Sequence, residues 1–77
     1  MTRDDHALLQ FEDAHPLEGG AKEDAMRRQL GLTPVRYQQR LLRVVRAPDA
    51  VAAFPLVVHR VERLVTRAAA ARAGRSF

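Results

Sequence analysis

Four side chains with hydrogen-bonding chemistry, Arg36, Gln39, Arg40 and Arg43, recur at three- and four-residue spacing within LTPVRYQQRLLR. On an α-helix that spacing puts them on one face. An arginine can grip the major-groove edge of guanine through two hydrogen bonds, and a glutamine can do the same for adenine. An arginine row also neutralises phosphates without reading sequence. The chemistry on offer is contact with a polyanion. The plainer reading of the same row is a solvated helix surface beside a corner between two helices.

Other reactive groups lead nowhere comparable. His6, His15 and His59 fall on three separate elements and lack the i, i+4 spacing of a helical metal site, so no metal is expected. The carboxylates near the N-terminus read as a solvated acidic face. No nucleophile accompanies them except Ser76 near the chain end, and there is no glycine-rich phosphate loop. The expectation is a protein that is not an enzyme, with no cofactor and no small-molecule substrate. With no cysteine, neither a disulfide nor a thiolate zinc site can supplement the core. MTRDDHALLQ lacks the apolar run of a secretory signal, and no uninterrupted apolar stretch could span a bilayer. A cytoplasmic, nucleoid-associated location without membrane contact is therefore expected.

The elements that would position the row are helical. A chain of 77 residues makes one domain, 1–77, burying about 60–65% of the surface of its unfolded form. Thr2 caps a first helix over Arg3–Ala14, striped by Ala7, Leu8, Phe11 and Ala14, and HPLEGG follows as a loop. Gly20 opens a second helix, with Ala25, Met26 and Leu30 facing inward, and Gly31 ends it. Thr33-Pro34 starts a third that runs to about Arg46. There Tyr37, Leu41, Val44 and Val45 gather on one side, and the arginines and Gln39 occupy an arc of about 120° on the other. Pro48 to Ala53 reads as a turn. Pro55 starts a last helix with Val58, Val61, Leu64, Val65 and Ala68 as its apolar stripe, fraying at Gly74 within a basic tail from about residue 70. The fold class is all-α, a compact bundle of four to five helices.

Charge is segregated along this chain. Residues 1–25 carry two basic and seven acidic residues, a net of −5, whereas residues 26–77 carry eleven arginines against Asp49 and Glu62, a net of +9. Such separation favours a polyanionic partner, nucleic acid above all.

Laid over that asymmetry, the middle of the chain reads as a helix-turn-helix. Gly31 makes the turn, Leu32 follows it, and Tyr37 six positions on locks the second helix against the first. Met26, Leu30 and Leu41 complete the packing, while Arg27, where many such motifs carry alanine, must point outward. The recognition helix, about 34–46, would offer Val35, Arg36 and Gln39 to base edges in the major groove of double-stranded DNA. Thr33, Arg40, Arg43, Arg60, Arg63 and Arg67 would meet phosphates. A different class of reading keeps the helices and drops the DNA. It is an interaction module or homodimeric adaptor that uses apolar faces around Leu42, Val45, Val57 and Val61, with the acidic first helix toward a basic partner.

Several runs in the chain resemble one family. They are Phe11-Glu12, GAKEDAM from Gly20 to Met26, LGLTPVRY from Leu30 to Tyr37, Gln39, Leu41, and RAPDAVAAFPLVVHR from Arg46 to Arg60. Together these resemble, over about residues 8–70, the actinobacterial domain-of-unknown-function family numbered 3263. The resemblance implies a helix-turn-helix-like, sigma-factor-like basic protein acting on DNA or the transcription machinery. The chain departs from the family pattern at His15 and Pro16, where tryptophans are common, and at Gln38, Leu42, Arg46 and Phe54.

Overall fold

The chain folds into five helices within residues 1–75, the residues described by this computed structural model. These are α1 (Arg3–Ala14), α2 (Gly20–Leu30), α3 (Pro34–Val44), α4 (Pro48–Ala53) and α5 (Pro55–Arg75). The fold is all-α, and its starts and stops follow local chemistry. Thr2 Oγ1 accepts from the Asp5 N–H at 3.1 Å while Asp5 Oδ2 accepts from the Thr2 N–H at 3.2 Å, a reciprocal box that satisfies two donors at the start of α1. Thr33 Oγ1 accepts from the Arg36 N–H at 3.3 Å at the start of α3, with Pro34 already holding a helical φ.

Between those helices, Gly31 sits at φ 67°, ψ 25°, in the left-handed region. Its N–H donates to Arg27 O at 3.1 Å, and the Leu32 N–H donates to Met26 O at 3.4 Å, the bond pair that closes a helix and redirects the chain. No atom lies close to where a side chain at Gly31 would begin, so substitution there meets backbone strain alone. Gly31→Ala is expected to lower stability by about 1 kcal/mol, a fall of roughly 4–8 °C in the thermal midpoint followed by circular dichroism.

The core forms where the helices cross. α1 contributes Leu8, Leu9 and Phe11; α2 contributes Ala25 and Met26; Tyr37, Leu41 and Val44 come from α3. Val45 and Ala50 close the near end, and Val57, Val58 and Val61 from the first half of α5 lie across them. Leu9 is fully buried, although the sequence stripe passed it over, and Ala14 is exposed.

Three boundaries differ from the sequence expectation. α3 stops at Val44, because Pro48 holds Ala47 extended (φ −71°, ψ 135°), and Val45 and Arg46 tighten into a turn ahead of it. Residues 48–53 form a short helix rather than a turn, with Pro48 in its first turn. α5 continues through Gly74 to Arg75, carried by an alanine-rich run of high helical propensity, while Ser76 lies outside the described residues. At about 1.5 Å per residue, these 21 residues make a rod of roughly 30 Å that outruns the other helices. No helix among the described residues is long and apolar enough to cross a membrane.

Candidate nucleic-acid interface

α3 is two-faced in burial as well as in sequence. Tyr37, Leu41 and Val44 are buried, whereas Val35, Arg36, Gln39, Arg40 and Arg43 are all exposed. Val35 stands 68% exposed at the start of the helix, beside Arg36, where an apolar side chain gains nothing from the core. Thr33 is exposed as well, at the helix start where backbone N–H groups are unsatisfied. Behind the turn, Met26 is buried and Leu30 and Leu32 pack half-buried against the core. Arg27 points outward, as its length requires. The structure thus brings Val35, Arg36, Gln39, Arg40 and Arg43 onto one solvent-facing surface.

On α5, Arg63 and Arg67 are exposed, but Arg60 is not available in the same way. Its Nη2 donates to the main-chain oxygen of Glu12 at 2.8 Å and to Glu12 Oε2 at 3.2 Å, with the side chain only 28% exposed. Its Nε is buried with no hydrogen-bond partner among the described residues. Arg60 therefore belongs to the interior and leaves the set of phosphate contacts, because a buried carboxylate holds a guanidinium more strongly than water would.

That carboxylate is the centre of a four-helix junction. Glu12 is 2% exposed and Lys22 3% exposed, and Lys22 Nζ donates to Glu12 Oε1 at 2.8 Å. Tyr37 Oη donates to the same oxygen. Lys22 also reaches Glu18 at 2.9 Å and lies 5.6 Å from the centre of the Tyr37 ring. Glu12 on α1 thereby ties together Lys22 on α2, Tyr37 on α3 and Arg60 on α5. Each of its oxygens is occupied, and two cations balance the carboxylates of Glu12 and Glu18. The aromatic ring of Tyr37 packs edge-on against Phe11 at 5.6 Å, and Phe11 stacks on His15 at 4.2 Å. His15 caps the end of α1 in a half-buried position rather than standing in an open loop.

Glu12 and Lys22 enter the sequence reading as charges and as members of the runs that resemble the family, not as buried residues. The signal was present in their helical positions. At about 100° per residue, Glu12 stands about 40° from Leu8 and about 60° from Leu9, in the middle of the buried face. Lys22 precedes Ala25 and Met26 by three and four residues, in line with the buried stripe of α2.

Burial, and after it the neighbouring Glu12 carboxylate, push the Tyr37 phenol well above the usual tyrosine value of about 10. In the unfolded chain the phenol ionises near that value, so its contribution is intact below about pH 10 and is lost as pH rises toward the folded pKa. Tyr37→Phe is expected to flatten this alkaline decline and to lower stability at neutral pH by about 1 kcal/mol, as urea midpoints between about pH 8 and 11 would read.

The alternative partner surface fares differently. Val45, Val57 and Val61 are buried in the core, while Leu42 is half-buried and, with Val61, borders a surface groove.

A family model described as "Protein of unknown function (DUF3263)" matches residues 1–75. No curated protein and no solved structure matches the chain. Four of the residues that carried the sequence resemblance, Glu12, Lys22, Tyr37 and Arg60, meet in the buried junction.

Proposed function

The chain belongs to the DUF3263 family, and from its geometry we propose that it is a small duplex-DNA-binding protein of helix-turn-helix type. α2, the three-residue turn Gly31–Thr33 and α3 supply the motif, and α3 lies in the major groove. Val35, Arg36 and Gln39 address base edges; Thr33, Arg40 and Arg43 hold phosphates, joined by Arg63 and Arg67 on α5. The observation that carries this reading is the exposed row of three arginines and a glutamine on α3, opposite a face clamped to the core through Tyr37 and Glu12. A rigid helix with its polar face outward is what groove recognition needs. Acting on the nucleoid, such a protein serves as a regulator or accessory factor of transcription.

Fluorescence anisotropy with a labelled duplex of mixed sequence tests the reading. Binding is expected at about 50 mM salt, weakening by orders of magnitude toward about 200 mM. Absence of binding at the lower salt concentration would refute it.

A further inference from the structure

The apolar row of α5 does not end where the core ends. Val57, Val58 and Val61 are buried, yet Leu64, Val65 and Ala68 continue the same side of the helix into solvent, Leu64 being 48% and Val65 42% exposed. α1 and α3 are too short to cover them. Beside this row runs a groove floored by Leu41 and Val61 and walled by Gln38 and Leu42 of α3. An aliphatic row that outlasts its own core is a place for another helix to lie.

Charge decides which helix. Arg63 and Arg67 flank the row on one edge and Arg72 stands at its far end, while Glu62 is the sole acid of α5. The two other carboxylates at the head of the groove, Glu12 and Glu18, are both bonded to Lys22. Pairing two copies of α5 would bring Arg63 and Arg67 of each copy together against one Glu62 from each, which disfavours self-association through this face. We propose that the second half of α5, with the adjoining wall of α3, docks an amphipathic helix of a partner protein. Its apolar positions repeat every three or four residues and aspartate or glutamate flanks them. This surface shares Arg63 and Arg67 with the phosphate contacts proposed above but takes in none of Arg36, Gln39, Arg40 and Arg43, so loss of DNA binding through the α3 row leaves it standing.

Two synthetic helical peptides with the same leucine-alanine face test it, one flanked by glutamates and one by lysines, each titrated by anisotropy into the full chain. The glutamate-flanked peptide is expected to bind about tenfold or more tightly than the lysine-flanked one. Leu64→Asp and Val65→Asp, both at exposed positions, are each expected to weaken that binding by about tenfold or more with the thermal midpoint retained. The Arg36→Ala, Arg40→Ala double variant should bind the peptide as the native chain does. Equal binding of the two peptides, no binding of either, or a dimer in sedimentation of the chain alone that Leu64→Asp abolishes would overturn the proposal.

Discussion

Glu12→Ala is expected to unfold most of this protein at physiological temperature. The substitution leaves the Lys22 ammonium buried beside Glu18 alone, and strips the Tyr37 hydroxyl and the Arg60 guanidinium of their carboxylate partner. Removing one member of a buried ion pair lowers stability by about 3–5 kcal/mol, since the other charge stays desolvated. A domain of this size has little more than that in hand. Each kcal/mol corresponds to about 4–8 °C of midpoint, so a thermal scan should show a fall of at least about 12 °C or no cooperative transition. Lys22→Met is expected to do less harm. It fills the same space with an apolar chain and leaves Glu12 accepting from Tyr37 and Arg60. A Glu12→Ala protein that melts within a few degrees of the native one would contradict the junction's structural role.

The second large effect belongs to the exposed row. Changing Arg36, Arg40 and Arg43 together to alanine should leave the fold intact, because all three side chains are in solvent and alanine favours helix. Duplex binding should nonetheless fall by about two to three orders of magnitude at low salt. If Arg40, Arg43, Arg63 and Arg67 each meet a phosphate, the slope of log affinity against log salt should be about −4. The triple variant, left with Arg63 and Arg67, should show about −2. Arg36→Ala alone is expected to cost about 1–3 kcal/mol and to relax base preference at one position, whereas Arg43→Ala should weaken all sequences alike. An unchanged slope in the triple variant would move the contact surface away from α3.

The contrast between those two sites explains how far the sequence could be read. Caps, turn and α3 amphipathicity are local, decided by neighbours within four residues, so Thr2, Gly31, Thr33-Pro34 and the face of Arg36 and Gln39 were legible. Whether 48–53 is a turn or one short helix depends on packing against α5, which local signals do not report. The junction was hidden for a different reason. Glutamate and lysine are expected in solvent, and their burial is intelligible only when partners ten and forty-eight residues away are brought into place. Arg60 shows the same limit in reverse. Its spacing with Arg63 and Arg67 puts it in a basic row, and a long-range contact with Glu12 removes it. The exposed half of α5 was likewise invisible, because an apolar stripe does not say how far the neighbouring helices reach.

Tyr37 anchors one side of α3 through Glu12 and the arginine row is left facing out on the other, the arrangement on which the DNA proposal rests. The most direct measurement is a backbone amide shift map of the 15N-labelled full chain with and without duplex DNA. Perturbations should be largest at Thr33, Val35, Arg36, Gln39 and Arg40, with smaller ones at Arg63 and Arg67, and the amides around Glu12 and Lys22 nearly still. Shifts confined to the second half of α5, or no shifts at low salt, would contradict the assignment of α3 as the DNA-reading helix.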